Sequence, residues 1–226
     1  MISIIVPVLD EAAGIGATLA ALQSSRAAGA ELIVVDGGSR DATKSIAQPL
    51  ADRVIDAPRG RASQMNAGAA VARGEVLMFL HADTVLPAGA LAAVADCLRG
   101  RHAWGRFDVT IAGGGALLAI VASMMNARSR FSGIATGDQA IFVRRDAFDA
   151  AGGFPAIPLM EDVALSRALK RVSPPACLRV RVTTSGRRWQ KHGTMRTIVL
   201  MWWLRLAFAL GADPSVLARR YEAGRV

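Results

Sequence analysis

Four short, mostly apolar runs within about the first eighty residues leave this chain few folds to choose from. Residues 3–8 (SIIVPV), 31–36 (ELIVVD), 53–57 (RVIDA) and 75–80 (EVLMFL) carry little polar alternation, which is the pattern of strands buried on both faces. Between them, residues 12–29, 40–51 and 63–74 read as helices, the first ending near Gly29 and the third closed by Gly74. Strand–helix alternation at this spacing predicts an α/β fold, a mostly parallel sheet of βαβ units flanked by helices. No internal repeat interrupts it.

Beyond residue 100 the pattern loosens. Residues 103–111 (AWGRFDVTI) and 139–145 (QAIFVRR) read as strands, with an apolar helix over 115–130 between them. Residues 160–171 (MEDVALSRALKR) form a helix opening on two acids, and 177–186 (CLRVRVTTSG) a strand whose alternating arginines imply one wet face. The stretch 197–211 (TIVLMWWLRLAFALG) is strongly apolar, but it is shorter than a membrane span and is broken by Arg205.

With 226 residues, 52% of them hydrophobic, the chain can bury one substantial core with a smaller appendage. Its formal charge of +9 is nearly all arginine, which suits an anionic substrate or an anionic membrane. No aromatic-interleaved platform or recognition helix accompanies the charge, so a nucleic-acid partner is not expected. Cys97 and Cys177 lie far apart without metal spacing and read as reduced structural thiols of a cytoplasmic protein. The N-terminal MISIIVPVLDE lacks a basic leader and reads as a first strand.

In open α/β sheets ligands bind at the carboxyl ends of the strands, and here those ends carry chemistry. Strand one ends in Pro7, Asp10 and Glu11. Strand two ends in DGGSRD, where Gly37 and Gly38 permit positive φ and Asp36 can accept hydrogen bonds from a ribose or base edge. Ser39 or Asp41 can equally cap the helix that follows. No G-x-G-x-x-G follows strand one, which disfavours an ordinary dinucleotide fold. After strand three, Arg59 and Arg61 sit in a Gly-containing loop entering a helix, a setting for phosphate or simply for solvated cations. Asn66 lies on that helix facing the same edge. Strand four runs into HADT, residues 81–84. A lone carboxylate, Asp83, can hold Mg²⁺ or Mn²⁺ if a diphosphate supplies the other oxygens. As an isolated motif, HAD also fits an N-cap at Asp83 or Thr84.

Taken together, VPVLDE, VVDGGSRDAT, GRASQMNAG, EVLMFLHADT, GDQAIFVRRDAF, GGFP and MEDVALSRAL resemble, in order, the family-2 glycosyltransferases of GT-A fold. The resemblance runs from Ile2 to about Lys170. Within the family the chain is most similar to the small bacterial group labelled radical-SAM/selenodomain-associated transferase 2, which shares the HAD form and a C-terminal RRW…HG segment. The resemblance implies inverting transfer from a nucleotide-diphosphate sugar, a UDP- or GDP-sugar, by a divalent-metal-assisted transferase of the hexosyl type. It implies a transferase domain over residues 1–190, with a nucleotide half to about 100 and an acceptor half beyond, and an apolar helical extension over 191–226.

Residue by residue, the resemblance implies that Pro7, Val8 and Glu11 form the first nucleotide-contacting segment. Asp36 then meets the base or ribose, and Arg61 stands near the diphosphate. Gly38, Asn66, His81 and Ala82 fall on the donor side, and Gly137, Asp138 and Gln139 on the acceptor side. Asp83 matches the last aspartate of D-x-D. His81 stands where most members have the first aspartate, so imidazole replaces one hard anionic ligand. Asp162 matches the general base, with Glu161 beside it; the bland alternative for both is an acidic first turn stabilising the helix dipole. In SGRRWQKHG, Arg188 can clamp the leaving phosphate and Trp189 can stack on a sugar, while His192 is either a metal ligand or structural. The glutamine of Q-x-x-R-W is missing, which argues against processivity.

Two other readings compete. A sugar-phosphate nucleotidyltransferase normally has a Gly-rich signature and a lysine after strand one, and VPVLDEAAGIGAT has neither. A silent nucleotide-sugar-binding or membrane-surface protein is opposed by the joint presence of Asp36, Arg61, Asp83 and Asp162. The tryptophan- and arginine-bearing C-terminal helix either lies in the inner face of a membrane, where a lipid or small-molecule acceptor can be reached, or packs on the sheet or a second copy in a homodimer.

Overall fold

The computed structural model describes residues 1–187, 189 and 193–223. Arg188 and His192, for which the sequence suggests a phosphate clamp and a metal ligand, lie outside the described residues. One eight-stranded sheet organises the chain: β1 (Ile2–Val8), β2 (Glu31–Asp36), β3 (Arg53–Asp56), β4 (Val76–Phe79), β5 (Thr84–Val85), β6 (Trp104–Ile111), β7 (Ile141–Arg144) and β8 (Ala176–Thr184). Their order across the sheet is β3-β2-β1-β4-β7-β6-β8-β5.

The first four strands are parallel, as the alternation predicted. Side chains along them alternate between two cores. Ile4, Val6, Val8, Leu32 and Val34 face α1 (Ile15–Ala21), α3 (Thr43–Ala47) and α5 (Ala90–Leu98). Ile5, Ile33 and Val35 face α4 (Arg61–Val71), α7 (Arg145–Ala150) and α8 (Glu161–Leu169). Every residue of β2 is buried, which is why that strand shows no polar alternation.

Strands β4 and β7 are antiparallel, with Phe79 opposite Ile141, and β6 is antiparallel to β7. The start of β7 therefore lies beside the end of β4. Strand β8 runs parallel to β6 and pairs at its end with β5, Thr84 opposite Thr184. The carboxyl ends of β1, β2, β4, β6 and β8 thus open on one edge.

Several elements differ from the sequence expectation. The long first helix is split at Leu22, with α2 (Gln23–Ala27) after it. The second helix shrinks to five residues. Strand β8 lacks regular alternation at its centre: Arg179, Val180 and Arg181 are all exposed. A bulge causes this, since the register jumps from Phe107–Leu178 to Asp108–Arg181. No helix begins at Asp83 or Thr84, which removes the N-cap alternative for them; α5 starts at Ala90.

Helix α6 (Ala116–Ser132) docks on β6 through Asn126, whose amide accepts from the Val109 N–H and donates to its carbonyl at 2.8 and 3.0 Å. The buried Arg106–Asp108 pair, joined by Arg130, lies beneath it. The C-terminal helices α9 (Thr194–Ala209) and α10 (Pro214–Ala223) pack on α8 through Leu204, Leu217, Tyr221, Met160 and Val163. Among the described residues no helix is long and apolar enough to cross a membrane. Both cysteines are free, and burial pushes the Cys97 thiol up to about 11.

Candidate active site

A cavity of about 1240 Å³ occupies the carboxyl edge of the sheet. Its floor begins with two loops stitched together. The Asp10 N–H donates to Ser39 Oγ at 2.9 Å, the Glu11 N–H to Thr43 Oγ1 at 2.8 Å, and the Arg40 N–H returns a bond to Asp10 Oδ1 at 2.8 Å. Asp41 accepts from the Thr43 N–H as α3 begins and from the Ala12 N–H across the gap. These bonds hold the ends of β1 and β2 in one conformation before any ligand arrives.

Asp36 is buried. Its Oδ2 accepts the Gly38 and Ser39 N–H groups, both at 2.9 Å, and Gly38 takes the left-handed backbone (φ 92°) that closes this turn. Its Oδ1 is shielded and has no hydrogen-bond partner among the described residues, an unmet acceptor that costs on the order of 1–3 kcal/mol. Pro7, Val8 and Glu11 line the cavity, as do Arg59 and Arg61 at the entry of α4. Gln64, which the motifs did not single out, bridges the Val8 and Val35 carbonyls at 2.8 Å each. Its only sequence signal was a place one turn beyond Arg61.

His81, Ala82 and Asp83 follow β4 onto the same surface. The antiparallel β7 brings the 3₁₀ turn Gly137–Gln139 against His81. A methyl group on Gly137 would overlap the imidazole, and Nδ1 of His81 lies 3.2 Å from Asp138 Oδ1. The ring is thereby turned toward the turn. Asp83 is about one-third exposed, and its Oδ2 lies 3.7 Å from Arg187, which also donates to Glu11 Oε2 at 3.3 Å. Among the described residues no three acidic, histidine or cysteine side chains gather to hold a metal.

The acidic pair opens α8. Glu161 is buried on the cavity wall, and burial, reinforced by the Asp162 charge, pushes its carboxyl up to about 7. Asp162 is half-buried and accepts the Gly137 N–H at 2.9 Å and the Val163 N–H at 2.7 Å. Arg61 is exposed to the cavity, and although the surrounding walls oppose its charge, Glu161, Tyr221, Asp138 and Asp162 raise its guanidinium above the usual value. Arg61 therefore faces the acid pair as well as the strand ends.

Pro7, Val8, Glu11, Arg61, His81, Ala82, Asp83, Asp138, Glu161 and Trp189 thus meet around one cavity. Asp36, Gly38 and Asp162 stand outside that lining, Asp36 buried beneath the β2 turn and Asp162 next to Glu161, and two others are held in the framework. Asn66 exchanges both amide bonds with the backbone of Phe154 at 2.8 and 2.9 Å. Gln139 is fully buried and completes a capping box with Thr136. Gly137 acts through its backbone N–H.

Glycosyl transferase family 2 is matched over residues 3–148. A PGL/p-HBAD biosynthesis glycosyltransferase of Mycobacterium tuberculosis is 41% identical over 110 residues, 45% of this chain and 43% of that protein; the chain thus spans less than half the length of that relative. A mannosyltransferase of Pyrobaculum calidifontis, solved with GDP-Man and Mn²⁺, superposes with a TM-score of 0.67 at 20% identity, covering 99% of this chain and 68% of that one. TarS 1-349 of S. aureus with UDP-GlcNAc gives 0.64 at 17% identity over 81% and 58%. Glucosyl-3-phosphoglycerate synthase of M. tuberculosis with Mn²⁺, UDP and phosphoglyceric acid gives 0.58 at 20% identity over 81% and 69%. These likenesses bear out the GT-A arrangement of the sheet. The chain belongs to glycosyl transferase family 2.

Proposed function

We propose that the chain is an inverting glycosyltransferase of hexosyl type, moving a sugar from a UDP- or GDP-sugar to a hydroxyl acceptor. The observation that carries this reading is the convergence of Glu11, Arg61, Asp83 and Glu161 on one cavity at the sheet's carboxyl edge. Family membership and the nucleotide ligands of the superposed proteins support it. The HAD and RRW…HG segments are the grounds for a finer kinship with the selenodomain-associated group.

Donor cleavage places negative charge on the departing diphosphate, and Arg61 and Arg187 stand ready to offset it. Asp36, with its unmet oxygen, is the group to receive a donor hydroxyl or base N–H. Asp83, one-third exposed on the cavity surface, is the carboxylate that would hold a Mg²⁺ or Mn²⁺ ion, a hard cation that needs few protein ligands beside a diphosphate. When bound, that ion supplies further charge stabilisation. His81, turned to Asp138 and Gly137, offers no second carboxylate. Asp162 takes the acceptor proton, its orientation fixed by the two backbone N–H donors. A second reading makes Glu161 the base, favoured by its place on the cavity wall and its elevated pKa. The exposed apolar face of α9 is a candidate membrane contact near the cavity mouth.

A thermal-shift panel of nucleotide sugars, with and without Mn²⁺, tests the donor assignment. A Mn²⁺-dependent rise in melting temperature for one UDP- or GDP-sugar is expected. No rise with any member would contradict the reading.

A further inference from the structure

One pair of cavity arginines lies on helices rather than at the strand ends. Arg128 lies on α6, held over the cavity by the Asn126 clamp to β6 two residues earlier. Its Nη1 donates to the Ile134 carbonyl at 3.4 Å. Its Nε and Nη2 are shielded from solvent and have no hydrogen-bond partner among the described residues. Buried polar groups are nearly always paired, and an unpaired cationic donor is costly, so such a group points to a ligand.

Arg205 enters the same cavity from α9, with no ion pair among the described residues. Burial, then the charge of Arg205, pushes Arg128 down to about 10; Asp162 opposes the shift and Arg106 adds to it. Two half-buried guanidinium groups on one wall without a bridging carboxylate repel each other. An anion between them relieves both the repulsion and the unpaired N–H groups. The wall around them is apolar, formed by Val121, Met125, Ile198, Met201, Trp202 and Leu206. Neither arginine belongs to the loops at the ends of β1, β2 and β4.

Resting on the sugar-transfer reading, we propose that the wall between α6 and α9 is the acceptor subsite, and that its ligand is an amphiphile with one anionic head. The head, a carboxylate or a phosphate, bridges Arg128 and Arg205. The aryl or alkyl body lies along the methionines and Trp202. Asp162, whose field reaches Arg128, then stands near the head end, where a neighbouring hydroxyl is in place to lose its proton.

Isothermal titration of the full chain with monomeric octyl phosphate and octanoate tests this, with octanol and inorganic phosphate as controls. At least one octyl anion is expected to bind about tenfold or more tightly than either control, because head and body each contribute. Arg128→Gln and Arg205→Gln are each expected to weaken that binding about tenfold or more, the scale of a charge-assisted bond. Both variants should keep wild-type affinity for UDP or GDP with Mn²⁺. Comparing the two octyl anions identifies the head. If Arg128→Gln fails to fold, Arg205→Gln, at a half-buried position, carries the test alone. Octanol binding as well as the anions, unchanged affinity in the folded variants, or displacement of the octyl anion by the nucleoside diphosphate would overturn the inference; the last would assign the arginines to the donor. Intact nucleotide binding without octyl-anion binding overturns this inference only. Absence of any nucleotide binding overturns the sugar-transfer reading, and this inference with it.

Discussion

Glu161 and Asp162 are neighbours in sequence with opposite surroundings. Glu161 is desolvated and pushed up to about 7, whereas Asp162 is held by two backbone N–H groups. Below about 4.5 Glu161 is protonated in both the folded and the unfolded chain; above about 7 it is ionised in both. Between those values the folded protein binds more protons, so stability falls as pH rises, by roughly 3 kcal/mol for this group. Urea unfolding across that range should show the fall in the wild type and a much flatter curve in Glu161→Gln; parallel curves would contradict the burial argument. Asp162→Asn should keep donor affinity and lose turnover by about two to four orders of magnitude. A loss under about tenfold would move the base to Glu161. Asp83→Ala should abolish the Mn²⁺-dependent part of nucleotide affinity and leave the melting temperature little changed, since the side chain is one-third exposed and its ion pair with the exposed Arg187 is long, at 3.7 Å. Much of this cavity was legible because its residues sit at strand ends, where sequence order and spatial position coincide. Arg128 and Arg205 were not, because an arginine in an apolar helix reads as solvated until tertiary packing closes over it. Asn66 misled for the opposite reason: its amide serves the Phe154 backbone, a contact 88 residues away in sequence.

At the scale of elements, β1, β2 and β4 were legible because burial on both faces removes polar alternation. Helix α5 went unread: ALAAVADCL is alanine-rich and has no side-chain cap to mark its start. The two-residue β5 is too short to leave a pattern, and it exists because β8 offers it a partner. Parallel β1–β2 pairing leaves α4 lying very close to the sheet at Gly68, where an added methyl would run into Ile5 and come within 3.0 Å of Val35. Gly68→Ala is therefore expected to cost about 1–3 kcal/mol through overpacking. Denaturant unfolding with an unchanged midpoint would show that α4 can shift away without penalty.

For the whole molecule, a formal charge of +9 coexists with an exposed apolar face. Trp202 and Leu206 on α9, Leu210 just past its end, and Ile120 and Phe131 on α6 stand in solvent, Phe131 at 97% exposure. Anionic lipid attracts such a surface by about 1 kcal/mol per nearby cation. Co-sedimentation at low salt should therefore capture the protein on anionic vesicles and not on neutral ones. Equal recovery in both supernatants would leave that face to another role. The central claim is narrower: the cavity transfers a sugar with inversion, using Asp162 as the base. Proton NMR of a donor nucleotide sugar with enzyme and Mn²⁺ reads this directly, even with water as the acceptor. The account expects the first sugar released to carry the anomeric configuration opposite to the donor's, at a rate lowered about a hundredfold or more in Asp162→Asn. Release with retained configuration, or no release with any UDP- or GDP-sugar, would contradict it.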